Sequence, residues 1–367
     1  MDSRTGYAGA LDHLILSRRD LIRAAAGWGT GALIASDRLR AQASATNAGR
    51  IDCHHHFGSP RWLDVVSMVK FNGYQNWLGY SPAKALDAMG KAGVSTAMIS
   101  CGIDLARNGI VSAGTLSRDM NDYGAKLVSD HKGRFALFGV LPLPDIDGSL
   151  KEIEYVFDTL KAHGVGIMTS YGNKWLGDPS LAPVFDELNR RKAVVYTHPI
   201  DAPCCENLMP GVGGPTIEYN TDTSRAIFSL INDGSAASPT TSMATRYGDI
   251  RFIWSHAGGS LLGLVGRFLG GAASGENLAR PPARNSRLYH LRRFYYDTAA
   301  SANPVQMQAL KALVGASQIV FGSDFPFGNP PILNIVQGLE TCNLSPAELR
   351  GIDRENALRF LPPLPSA

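Results

Sequence analysis

The sequence is short of charge, of aromatic side chains and of cysteine. Asp, Glu, Lys and Arg make up 18% of the 367 residues, and the formal net charge is +3. No basic block is present, which removes the electrostatic footprint of a nucleic-acid binder, and no acidic tract offers a solvating tail. Hydrophobic residues at 44% are ordinary for a globular chain and exclude a disordered or fibrous one. The five cysteines (Cys53, Cys101, Cys204, Cys205 and Cys342) include no C-x-x-C, which argues against a thiolate zinc cage. Most read as small buried apolar residues, and the adjacent pair Cys204-Cys205 falls in a loop. Function therefore has to come from particular residues. Histidine is also scarce, with nine in all, so the places where it gathers are informative.

The first 43 residues read as an export segment. Ser17-Arg18-Arg19-Asp20-Leu21-Ile22-Arg23 resembles a twin-arginine signal. A weakly apolar stretch over 24–35 follows, shorter than the roughly 20 residues that span a bilayer. Then comes Ala41-Gln42-Ala43, an A-x-A cleavage pattern. The expected organisation is a signal over 1–43, a linker over 44–49, one domain over 50–362 and a tail over 363–367. A periplasmic location follows, with no stable membrane insertion after processing. Removing the six Arg and four Asp of 1–43 leaves 29 basic and 28 acidic residues.

Eight short β-rich runs recur after residue 50, over 50–57, 94–101, 134–141, 164–171, 193–198, 251–256, 294–298 and 319–324. Helical periodicity separates most of them, as over 82–92, 116–131, 149–163, 181–191 and 304–313. This alternation predicts parallel strands joined by helices, and eight units predict a closed (β/α)8 barrel. An open doubly wound sheet would want a glycine-rich phosphate loop after the first strand. The residues there are His-His-His-Phe-Gly-Ser-Pro. Two connections, over 199–220 and 258–289, are long enough to act as a lid or a subunit contact.

Three of the nine histidines fall together in Ile51-Asp52-Cys53-His54-His55-His56-Phe57. Side chains alternate along a strand, so His54 and His56 share one face, with Asp52 below them, and two imidazoles one pleat apart can grip one cation. Partners are expected at other strand ends: His198 closes the fifth run, His256 the sixth and Asp324 the eighth. Asp297, at the end of the seventh, is placed to bond a catalytic histidine or to cap the next segment. Tyr171, Asn173 and Trp175 follow the fourth run and are candidates either to shape the pocket or to pack within their loop. His13, His131, His163 and His290 are assigned no chemistry.

The set of H-x-H on strand 1, His on strands 5 and 6 and Asp on strand 8 resembles the amidohydrolase superfamily. Ser255-His256-Ala257-Gly258-Gly259, Arg267 eleven residues past His256, and Gly322-Ser323-Asp324-Phe325-Pro326-Phe327 narrow the resemblance. They are similar to the branch of aminocarboxymuconate-semialdehyde decarboxylase and 6-methylsalicylate decarboxylase, over about residues 50–362. The resemblance implies one divalent metal on His54, His56, His198 and Asp324. It also implies His256 beside the metal as a catalytic group, Arg267 meeting a substrate carboxylate (in the family this can be across a dimer interface) and Phe327 lining the pocket. Strand 4 holds no lysine, and Lys174 lies past its end, so the carboxylated lysine of two-metal hydrolases is absent. Some aromatic-acid decarboxylases of the branch carry Glu in place of the first histidine, often with manganese; His54 tilts the metal toward zinc, with manganese the alternative.

Three imidazoles and one carboxylate leave a site of net charge near +1 with an open position, suited to an anion. The leading expectation is non-oxidative decarboxylation of a small aromatic or unsaturated carboxylic acid, salicylate-like, by His256, Asp324 and Arg267 in a homodimer or higher homo-oligomer. Hydrolysis of a lactone or a C–C bond is the second reading. An exported metal- or ligand-binding protein without turnover is the third.

Overall fold

The computed structural model describes residues 49–70, 73–206, 208–232 and 242–365. The export signal, its cleavage pattern and nearly all of the linker lie outside them. Eight parallel strands are arranged as the sequence predicts: β1 (Arg50–His56), β2 (Val94–Ser100), β3 (Phe135–Val140), β4 (Gly164–Met168), β5 (Val194–His198), β6 (Arg251–Trp254), β7 (Tyr295–Asp297) and β8 (Ile319–Val320). Each pairs with its neighbour in that order. The circle is joined between β1 and the segment after β8: Cys53 N donates to Phe321 O at 2.9 Å, Asp324 N to His54 O at 2.9 Å and His56 N to Phe325 O at 2.8 Å. The result is a (β/α)8 barrel. Sequence and structure differ most at the eighth strand, which was expected to reach residue 324 but ends at Val320.

The connecting helices form where the sequence supplies both an apolar stripe and a start signal. Pro82–Lys91 begins with Ser81, whose hydroxyl accepts from Lys84 N, and carries Pro at its first turn. Ala113–Asp130 is capped by Ser112 and turns Leu116, Met120 and Leu127 inward. Burying each such side chain contributes roughly 1.5–3 kcal/mol. Pro304–Val314 starts at Asn303 and stops at Gly315, whose φ of 86° a side chain would resist.

The lower interior of the barrel is a packed core. Ile51, Met98, Phe138, Tyr196, Ile253 and Val320 meet there, and Phe360 and Leu361 near the carboxyl terminus pack against them. Side chains fill a barrel of this size, so the space for chemistry lies above that layer, at the carboxyl ends of the strands. All five cysteines are free. Among the described residues no helix is long and apolar enough to cross a membrane.

Candidate metal centre and active site

Strict alternation does not run the length of β1. Ile51 and Cys53 belong to the core, and the pairing register with β2 shifts between Asp52 and His55. Such an irregularity inserts one residue and re-aims the next side chain. His54 and His56 converge above the core as predicted, but Asp52 does not lie beneath them. Its Oδ1 accepts from His54 N at 3.1 Å and Ser323 N at 3.0 Å, and its Oδ2 pairs with His55 Nδ1 at 3.0 Å. His55 stacks on Phe325, ring centroids 4.5 Å apart. Asp52 and His55 therefore tie β1 to the segment after β8.

One donor atom from each of His54, His56, His198 and Asp324 lies within 4.8 Å of every other. His54 Nε2 is 3.1 Å from His56 Nε2, and Asp324 Oδ1 is 3.1 Å from both. Lone pairs facing each other at that range repel unless a positive charge sits among them, and the donor set is that of a divalent cation. Two further buried atoms, His56 Nδ1 and His198 Nδ1, have no hydrogen-bond partner. Burial opposes a proton on His54, but the carboxylates of Asp297 and Asp324 outweigh it and lift its pKa to about 10. Burial and the neighbouring imidazoles of His56, His54 and His256 hold His198 well below the usual histidine range. Burial opposes ionisation of Asp324, but His54, His256 and His56 keep it well below the usual carboxylate range.

The seventh strand supplies the group that fixes this arrangement. Asp297 Oδ2 accepts from His54 Nδ1 at 2.7 Å, which sets the tautomer and turns Nε2 toward the cluster. Its Oδ1 accepts from His256 N at 2.9 Å and Ala299 N at 3.0 Å. Asp297 thus bonds a ligand histidine and also caps the following turn; the two readings of the sequence are both realised. His256 Nε2 lies 3.5 Å from Asp324 Oδ2, the oxygen not shared by His54 and His56. Both His256 (φ 52°) and Asp324 (φ 62°) adopt the left-handed backbone region. For residues other than glycine that conformation costs about 1–3 kcal/mol, and it collects at functional sites.

An amidohydrolase family model matches residues 51–362. The chain belongs to the amidohydrolase family. The 6-methylsalicylic acid decarboxylase of Penicillium expansum is 32% identical over 343 residues, covering 86% of this chain and 97% of that one. The 2-amino-3-carboxymuconate-6-semialdehyde decarboxylase of Dictyostelium discoideum is 26% identical over 250 residues, covering 67% and 66%. Among solved structures, a dihydroxybenzoic acid decarboxylase from Polaromonas sp. JS666, with bound manganese and the inhibitor 2-nitroresorcinol, superposes with a TM-score of 0.70 at 20% identity, over 85% of this chain and 96% of that one. The first two of these relatives carry the names of the branch that the sequence motifs resemble.

In this amidohydrolase the histidines open onto a cavity of about 780 Å³, within the range of small-molecule sites. His56, His198, His256, Asp324 and Phe327 line it. The Phe327 ring stands 6.0 Å from that of His56 and 6.2 Å from Trp77. The long connection over 199–220 contributes Asp201, Glu206 and Tyr219, while among the described residues none of 258–289 lines it.

Four candidate pocket residues do not line the cavity; one, Tyr171, is buried with its hydroxyl accepting from Met168 N at 2.9 Å. Trp175 is half-buried, and its indole donates to Asp222 Oδ1 at 2.6 Å in a structural cluster with Thr169 and Ser170. Asn173 is exposed in the turn between the two short strands Ser170–Tyr171 and Lys174–Trp175. The chain turns back on itself after β4, so these side chains leave the barrel axis. Arg267 is exposed on the helix Leu261–Leu269 and is not among the lining residues of this chain. Sequence reading missed Arg107, which does line the cavity. It donates to Asp201 O at 2.8 Å and pairs with Glu206. Nothing in its local pattern, a short 3-10 turn after β2, marks it; only the Asp104 cap at the start of that turn is legible.

Proposed function

We propose that the enzyme is a metal-dependent carboxy-lyase that removes CO2 non-oxidatively from a small, salicylate-like aromatic carboxylic acid. The observation that carries this reading is the convergence of His54, His56, His198, Asp324 and His256 at one end of an aromatic-walled cavity. The named activities of the relatives support it. A divalent metal on the four ligands supplies charge that draws in a carboxylate and a neighbouring phenol oxygen. Asp324 Oδ2 and His256 Nε2 form an acid–base pair facing the cavity and hold the proton that the reaction consumes. The proton passes to the ring carbon that bears the carboxylate, forming a C–H bond. The C–C bond then breaks, its electron pair restores aromaticity, and CO2 leaves. Phe327 and Trp77 hold the ring in place and exclude water.

Three imidazoles favour zinc, and the manganese in the dihydroxybenzoic acid decarboxylase supports manganese as the alternative. Arg267 requires a second copy of the chain to reach a carboxylate, so its role is proposed together with a homodimer; Arg267→Ala should then raise KM. Export by a twin-arginine route is proposed from Arg18 and Arg19, and replacing both with Lys should retain the protein in the cytoplasm. The activity test is direct: metal-loaded enzyme incubated with salicylate, 6-methylsalicylate and dihydroxybenzoates should release CO2 and the matching phenol. Lactone hydrolysis with 18O incorporation, and no CO2 from any acid, would overturn the reading.

A further inference from the structure

We infer that Asp201 is a specificity-determining residue whose carboxylate accepts a hydrogen bond from a second hydroxyl on the substrate ring, remote from the carboxylate held at the histidine cluster. The inference rests on the aromatic-acid reading above and narrows it to acids that carry such a distal hydroxyl. Asp201 lies three residues beyond His198 and lines the same cavity. Its Oδ1 is covered from solvent and has no hydrogen-bond partner, so the oxygen left to meet a ligand in the cavity is Oδ2. The nearby cation is already engaged: Arg107 donates to the backbone carbonyl of Asp201 and pairs with Glu206. The carboxylate packs closely against Gly214, where a built Cβ would fall 1.8 Å from Oδ1. Burial pushes the Asp201 carboxyl above its ordinary range although Arg107 opposes this, and the carboxylates of Glu218 and Asp222 add to the rise. Tyr219 feels both ends of the cavity: burial and then the carboxylates of Asp201 and Asp324 raise its phenol, and its ring lies 5.9 Å from His198. A single aromatic ring laid past Tyr219 would have its acid group at the metal ligands and a far substituent at Asp201. A site built to accept a hydroxyl rejects the analogue that lacks it much more strongly than an apolar pocket rejects an added one.

The test compares 2,3-, 2,4- and 2,5-dihydroxybenzoate with the salicylates that carry fluorine in place of the second hydroxyl. It uses both kcat/KM and the dissociation constant of the metal-loaded enzyme. At one ring position the wild type should favour hydroxyl over fluorine roughly ten- to hundred-fold, the range of a hydrogen bond to a charged group. Asp201→Ala should bring that ratio to within about threefold. Gly214→Ala keeps the carboxylate but displaces it, and should reduce the ratio in the same way. A wild type without preference at any position, or an unchanged ratio in both variants, overturns the inference. If no acid releases CO2 but the binding preference and its loss are seen, the decarboxylase reading falls and the role of Asp201 stands.

Discussion

The two ends of the barrel bury polar groups in opposite ways. At the amino end Arg50 Nε donates to Asp353 Oδ1 at 2.9 Å, and Nη1 donates to Ala92 O at 2.7 Å. Asn356 Nδ2 donates to the carbonyls of Ala316 and Ile319 at 2.9 and 2.8 Å. Charge and valence close locally, and the core is shut beneath Phe360 and Leu361. At the carboxyl end three acceptor atoms face each other at 3.1 Å, Nδ1 of both His56 and His198 has no partner, and His256 and Asp324 adopt left-handed backbone. Both ends are buried, so burial of polar groups alone does not mark a site. A lone open valence does not either, since His163 Nδ1 and Ser149 Oγ are buried without partners far from the cluster; several acceptors converging on one point do.

The largest expected effect would test whether the open end depends on its ligands. Asp324→Ala should abolish metal retention, measured by elemental analysis, and lower CO2 release by at least about a thousandfold, while the far-ultraviolet circular dichroism stays unchanged. Retained metal and turnover would erase the contrast. The mirror experiment is Asp353→Ala, which strands Arg50 in the closed end. Breaking a buried pair costs about 3–5 kcal/mol, so Tm should fall by several degrees. The protein that remains folded should keep its metal stoichiometry and KM; a loss of metal there would show that the two ends are not separable.

Asp297→Asn sharpens the comparison from within the open end. It keeps the shape but weakens the hold on His54, and metal affinity should drop about ten- to hundred-fold, read by competition with a chelator. The smallest effect belongs to an outer-surface pair. Glu348 accepts from Lys311 at 2.7 Å and from Ser345 N, and its pKa is lowered to about 2. A lowered carboxyl stabilises the fold at pH above the unfolded value near 4.5, and that contribution disappears as pH falls through about 2. Glu348→Gln should flatten this acid limb of the stability curve by no more than about 1 kcal/mol, without altering activity at neutral pH.

The strand order and the metal ligands were legible because both follow short-range rules: apolar runs at regular spacing, and rare histidines at their ends. Asp297 was legible only as two alternatives, because hydrogen bonding to a residue 243 positions earlier has no local signature. Asp52 was misplaced because the register shift in β1 is set by pairing with β2, not by β1 itself. Asn173 and Trp175 were legible only as pocket or loop-packing candidates, because the hairpin formed by the two short strands after β4 has no clear local signature. Asp201 and Arg107 sit in loops whose path depends on Gly214 and on a contact across 94 positions, and sequence spacing says nothing about either.

The seam of the barrel has a consequence for how the molecule tolerates change. The backbone groups that join β1 to the segment after β8 include those of His54, His56 and Asp324, three of the four candidate ligands, beside those of Cys53, Phe321, Ser323 and Phe325. The stitch that closes the cylinder and the cluster that could grip a cation therefore share residues. An insertion or deletion anywhere over 321–326 would open both together, whereas the same change over 258–289 would touch neither. A bound cation would act as a clasp on that seam, and limited proteolysis should find the seam protected in metal-loaded protein and cut first after chelation.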